Sequence, residues 1–209
     1  MLAKKGYLDI DEITGIPGYP GDEVLAGKKC VVVECNQYIP CNPCEASCPH
    51  HAITVGEPIT ELPVVDPDKC MGCGLCVALC PGQACFLVDQ SAKDFDTVTI
   101  PYEYYPLPEK DQEVYGLGRD GRYLVKAVVV RVVMTKKNDR TAVIEIKVPK
   151  GFGMKVRNSV AKPLSALKTQ GVLGKSALSS SKMSRINVSL SFPECALPFR
   201  RVAFINIPV

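Results

Sequence analysis

The sequence predicts an α+β chain: a duplicated cysteine-bearing unit, then a small antiparallel β-barrel or sandwich, then a basic C-terminal tail. Three observations carry this. Residues 70–81 read CMGCGLCVALCP, with cysteines spaced C-x2-C-x2-C-x3-C and closed by proline. A shift of 32 residues lays CNPCEASCPHHAI (41–53) over CGLCVALCPGQAC (73–85). After residue 95 the runs TVTIPYEYY, DQEVYGLG, RYLVKAVVVRVVM and TAVIEIKVP alternate or are β-branched, separated by Pro-Leu-Pro, Asp-Gly and Lys-Asn-Asp turns.

Taken in order, residues 1–29 form an N-terminal arm: a short charged stretch, then the turn-rich GIPGYPGDE. Residues 30–95 hold both cysteine units. CVVVE (30–34) is a strand leading into the first loop, AITV (52–55) and LPVV (62–65) flank the second, and FLVD (86–89) closes the repeat. Each unit thus reads strand, loop, one-turn helix, strand. Residues 96–150 form the small β domain. In it, RDGR at 119–122 is a tight hairpin turn, because Asp-Gly tolerates positive φ. No Gly-rich phosphate loop or nucleophile–base pair occurs there, so its expected role is structural: to dock the cysteine-bearing half on a partner or to cover a cluster held there. Residues 151–209 are a basic tail with the linker-like ALSSSKMS.

The C-x2-C-x2-C-x3-C-P run is the ligand pattern of a bacterial-type iron–sulfur cluster, whose fourth cysteine serves a second cluster. Gly72 and Gly74 let the backbone turn closely, and Pro81 ends the turn that follows because it cannot donate into it. In the repeat, Cys41, Cys44 and Cys48 fall on Cys73, Cys76 and Cys80, Pro49 on Pro81 and Ala52 on Ala84. Tyr38 falls on Cys70 and cannot supply a thiolate. Cys35, three residues earlier, gives C-x5-C-x2-C-x3-C-P if the loop bulges. The expected ligand sets are Cys35, Cys41, Cys44 and Cys80 for one 4Fe-4S cluster, and Cys48, Cys70, Cys73 and Cys76 for the other. The alternative for the first set is a three-cysteine site, holding a 3Fe-4S cluster or a cube with a non-cysteine ligand.

Other uses of these cysteines fit less well. Eleven is an odd number for disulfides, and the N-terminus lacks the apolar core of a signal peptide, so a reducing cytoplasm is expected. Zinc draws four ligands from two pairs and has no use for triplets followed by Cys-Pro. Cys30 and Cys85 read as buried packing residues; Cys195 has no assigned role. His50 and His51 are adjacent, whereas a Rieske centre needs a Cys/His pair in each of two loops, so they read as loop residues near a cluster.

The net charge of +3 conceals a division. Residues 150–209 hold ten Lys/Arg against Glu194, giving +9, so residues 1–149 carry the balance of −6. The scattered tail charges, with few aromatics, favour a solvated or partner-docked segment over a nucleic-acid site. No apolar run approaches the roughly 20 residues of a membrane span; AVVVRVVM (127–134) is split by Arg131.

The stretches VECNQYIPCNPCEASCP, ITELPVVDPDKCMGCGLCVALCPGQA and PYEYYPLPEKDQEV resemble the dicluster ferredoxin-type subunits of FAD-dependent amino-acid dehydrogenases, of the proline, hydroxyproline or sarcosine type. The resemblance runs from about residue 5 to residue 150. It implies a ferredoxin-like domain with two 4Fe-4S clusters in a cytoplasmic hetero-oligomer. There a flavin subunit oxidises the amine and this subunit passes single electrons. The C-x5-C spacing belongs to the resemblance and supports Cys35 as a ligand. Chains of that type end soon after VPKGFGMKVRN, so the basic tail departs from the pattern, as an added docking segment or a disrupted reading frame. The alternative functional reading is a metal-stabilised nucleic-acid or protein-binding module that uses the tail; a third leaves one iron open for catalysis beside Tyr38.

Overall fold

Alternating and β-branched sequence after residue 84 produces long strands, while the Pro- and Gly-rich cysteine loops produce short ones. The computed structural model of the chain describes residues 5–161. The expectations for residues 162–209, including most of the basic tail, lie outside the described residues.

Seven strands form one antiparallel sheet: β1 (Cys30–Val33), β4 (Cys85–Asp89), β5 (Phe95–Tyr102), β6 (Glu113–Leu117), β7 (Tyr123–Val133), β8 (Ala142–Pro149) and β9 (Asn158–Val160). Their spatial order is β1-β4-β5-β8-β7-β6-β9. β2 (Ile53–Thr54) and β3 (Val64–Val65) make a separate two-stranded ribbon, with Ile53 opposite Val65. RDGR makes the β6–β7 turn, where Gly121 lies at φ +73°.

The barrel expected over residues 96–150 does not close. β5 uses one edge to pair with β4 and the other to pair with β8, and among the described residues the sheet ends at β1 and β9. The strands of the second half therefore extend the sheet that the first half begins. The register sets Val33 opposite Cys85 and Cys30 opposite Val88, and burial along both strands is almost complete. Val31, Val32, Val33, Leu87, Ile100 and Ile146 are each at most 1% exposed, so this seam is the centre of the core.

Two short helices of the N-terminal arm lie wholly among the described residues, α1 (Ile10–Thr14) and α2 (Asp22–Gly27). Asp9 caps α1, and the Glu12 side chain accepts the Asp9 N–H at 2.9 Å, a reciprocal arrangement that satisfies otherwise orphaned donors. Ile13 and Leu25 are fully buried, so the arm packs on the chain's own core. Between the helices the backbone runs alongside β1: Gly18 O accepts Val33 N–H at 2.9 Å, and Pro17 O accepts Val65 N–H at 3.2 Å. Approach is so close that a Cβ on Gly18 would stand 2.2 Å from Val33 O.

No helix among the described residues is long and apolar enough to cross a membrane.

Candidate iron–sulfur centres

The two cysteine loops have matching backbone courses. α3 (Pro43–Ala46) and α4 (Leu75–Leu79) start 32 residues apart. The last cysteine of each loop accepts an N–H four residues on: Ala52 N to Cys48 Sγ at 3.2 Å, and Ala84 N to Cys80 Sγ at 3.3 Å. His51 and Gln83 each take a left-handed conformation, at φ 50° and 51°, and each donates its N–H back to the cysteine carbonyl three residues earlier. The duplication read from spacing is therefore a duplication of backbone geometry.

In the second loop Gly72 (φ +63°) and Gly74 (φ +85°) both occupy the left-handed region that glycine adopts without penalty. The Lys29 stem passes close over Gly72, and the Lys29 ammonium pairs with Glu145 on β8. Cys48, from the first loop, lines a single pocket with Cys70, Cys73 and Cys76 from the second; Ala52 and Leu87 also line it. His50 borders the same pocket.

The remaining candidate ligands adjoin one another. Cys35 follows β1 and packs partly buried against the core, as Cys80 does. Cys44 is buried on α3. Burial raises the Cys41 thiol, and the nearby Cys80, Cys44 and Cys35 add to this, so all three lie within electrostatic reach of Cys41. Tyr38 leaves two-thirds of its surface, 67%, exposed.

Cys30 and Cys85, read from sequence as packing residues, do more than fill space. Both are fully buried. A hydrogen bond from Cys30 holds the Cys70 thiol at about 5, assisted by the Gly72 and Val31 N–H groups and opposed by burial. Cys85 interacts with Cys44, Cys76 and Cys80, members of both candidate sets. Its hydrogen bond is the main reason the Cys80 thiol is held at about 6 and the Cys44 thiol lies below its ordinary value. Cys85 directly follows Ala84, whose N–H meets Cys80 sulfur, but that contact is visible only in the fold.

Among the described residues no group of three or more His, Cys, Asp or Glu converges closely enough for one ion. Zinc needs four Cys, His or carboxylate donors within about 2.0–2.3 Å of a single centre. Four cysteines lining one pocket, with N–H donors at the Cys48 and Cys70 sulfurs, are a donor set that suits a polynuclear cluster.

One feature beside the first loop had no sequence signal. Glu34, next to Cys35, accepts from Arg119 Nε at 3.0 Å, from Arg119 Nη2, and from Arg157 Nε at 2.7 Å. The three side chains are 9%, 10% and 4% exposed. Arg157 also donates to Gly153 O at 2.8 Å and Val156 O at 2.7 Å, and lies 4.9 Å above the Phe86 ring. Burial lowers the Arg157 guanidinium to about 10, against the pull of Glu34. These partners stand 85 and 123 residues from Glu34, and folding alone brings them together.

A family model described as a 4Fe-4S dicluster domain matches residues 34–84. Residues 34–84 are thus a ferredoxin-type 4Fe-4S dicluster domain, and 4Fe-4S clusters are its cofactors. The chain is similar over 48 residues, 48% identical, to one subunit of the Na(+)-translocating ferredoxin:NAD(+) oxidoreductase complex of Acetobacterium woodii, covering 23% of this chain and 14% of that protein. It is 48% identical over 46 residues to a subunit of the ion-translocating oxidoreductase complex of Methanosarcina acetivorans, covering 22% and 16%. A polyferredoxin-like subunit of an aliphatic sulfonate oxidoreductase of Pyrococcus furiosus is 43% identical over 51 residues, covering 24% and 27%. The chain therefore spans roughly a quarter or less of these curated relatives. No solved structure matches.

Proposed function

We propose that this chain is a non-catalytic electron-transfer subunit of an oxidoreductase complex. Cys35, Cys41, Cys44 and Cys80 hold one 4Fe-4S cluster; Cys48, Cys70, Cys73 and Cys76 hold the other. When bound, each cluster supplies a reversible one-electron couple. The observation that carries the reading is Cys48 lining the same pocket as Cys70, Cys73 and Cys76, the crosswise sharing that a two-cluster chain needs.

The chain's own residues prepare these sites. Buried Cys30 and Cys85 donate toward the thiolates, and the Ala52 and Ala84 N–H groups point at Cys48 and Cys80 sulfur. Such donors stabilise negative sulfur and set redox potential. With every iron capped by thiolate, no position is left for substrate, so the chemistry on the organic substrate belongs to a partner. The partner is proposed to be a flavin-containing amino-acid dehydrogenase subunit, on the resemblance of residues 5–150, and the complex to be cytoplasmic.

Anaerobic purification followed by iron and sulfide analysis tests the sites: about eight of each per chain are expected. Dithionite reduction should then give low-temperature paramagnetic signals. Bound zinc in place of iron, with no such signal, overturns the reading. Co-purified subunits that lack flavin overturn the proposed partner alone.

A further inference from the structure

Between its first two cysteines the first ligand loop carries five residues, Asn36–Pro40, where the second loop carries two. Spanning a longer gap needs only backbone. This insertion instead sets Tyr38 and Ile39 in water, 67% and 45% exposed. A second loop adjoins it, through the 3.2 Å hydrogen bond from Cys41 N–H to Ile59 O, and Ile59 is itself 45% exposed. Exposed apolar side chains gathered at one place cost free energy in an isolated chain and mark interaction sites.

Residues 30–68 contain six acidic residues and no Lys or Arg, with Lys28, Lys29 and Lys69 at the borders. Glu34 is consumed by its two arginines and Asp66 pairs with Lys69, but Glu57 and Glu61 flank Ile59 and are exposed. A second copy of the chain would bring like charges together, which is unfavourable.

We propose that Tyr38, Ile39 and Ile59, flanked by Glu57 and Glu61, form the docking face through which electrons are exchanged at the Cys35–Cys41 loop, and that the partner is a redox protein presenting an apolar surface rimmed by Lys and Arg. This rests on the electron-transfer reading above. The apolar centre supplies affinity, and the carboxylates steer and orient the encounter.

The test uses the full chain with its clusters, and cytochrome c as a basic protein probe against methyl viologen as a small one. Wild type is expected to bind cytochrome c by calorimetry and, once its clusters have been reduced with dithionite and the excess removed, to pass it electrons at a rate that falls steeply between about 0.01 M and 0.3 M salt. The Tyr38→Ser/Ile39→Ser variant should lose at least about tenfold in that rate and in affinity, with iron content and viologen exchange unchanged. Glu57→Gln/Glu61→Gln should flatten the salt dependence. A serine variant equal to wild type, a salt-insensitive rate, or a free chain that dimerises through this patch in sedimentation overturns the docking face while leaving electron transfer intact. A chain inert toward viologen fails at the electron-transfer reading itself, and the docking face falls with it.

Discussion

Replacing Glu34 by glutamine removes the negative charge shared by two buried guanidinium groups. The amide has one acceptor oxygen and one NH2. Placed where Oε1 now sits, the NH2 confronts Arg119 Nη2 and Arg157 Nε; placed at Oε2, it confronts Arg119 Nε. Either way at least one donor faces a donor, and two positive charges remain in a pocket that leaves the arginine side chains 10% and 4% exposed. Breaking a buried pair by removing one member costs roughly 3–5 kcal/mol, because the survivor stays uncompensated. At about 2–4 °C per kcal/mol for a chain of this size, the thermal transition should fall by roughly 6–20 °C. The assay is far-UV circular dichroism of anaerobic, cluster-loaded protein, with wild type and variant heated at one fixed rate. Arg131→Gln is the control: its bond to Glu145 involves a side chain 56% exposed, so its loss is worth under about 1 kcal/mol. A Glu34→Gln transition within about 2 °C of wild type would refute the reasoning, and would mean that water replaces the carboxylate at the arginines.

Gly18→Ala puts a methyl 2.2 Å from Val33 O and 2.9 Å from Val33 Cβ, so the Gly18–Val33 hydrogen bond must open. A loss of about 3 kcal/mol is expected from the freed buried N–H and the overpacking together; Gly27→Ala, with nothing within 4 Å of the new carbon, should be neutral or stabilising by up to about 1 kcal/mol in the same urea titration. Cys35→Ser should lower iron from about eight toward about four per chain and remove one of the two paramagnetic signals; two unchanged signals would show that Cys35 is not a ligand. Gly72→Ala forces φ +63° on a residue with a Cβ and crowds the Lys29 stem at 3.1 Å, costing about 1–2 kcal/mol locally. It should lower iron occupancy on reconstitution, whereas Gly82→Ala, in open space, should not.

The repeated cysteine loops were legible because ligand-loop patterns are written in local spacing. The 32-residue shift carried over to helix starts, to the Ala52 and Ala84 donors and to the paired left-handed residues His51 and Gln83. The strands after residue 95 were equally readable from β-branched alternation. What spacing does not encode is partnership over distance. Nothing in Arg119 or Arg157 announces Glu34, and a cysteine such as Cys85 in a buried strand looks like any small apolar residue until its sulfur neighbours are known. The barrel failed for a related reason: alternation says that strands pair, but whether β5 closes on its own group or joins β4 is settled by the neighbouring edge. The arm's helices were missed because five- and six-residue helices carry too little periodicity to read.

The thread of backbone at Pro17 and Gly18 has a practical reach. A fragment trimmed to the recognisable motif, beginning at residue 34, would lose β1 and strip the Val65 amide of its acceptor. It would also unroof the hydrophobic floor that Ile13 and Leu25 cover. The cysteine-bearing motif is therefore smaller than the segment that can fold by itself. Shortened versions made for biophysics should keep the residues ahead of Glu34, or they will report the behaviour of an unravelling chain instead of a carrier.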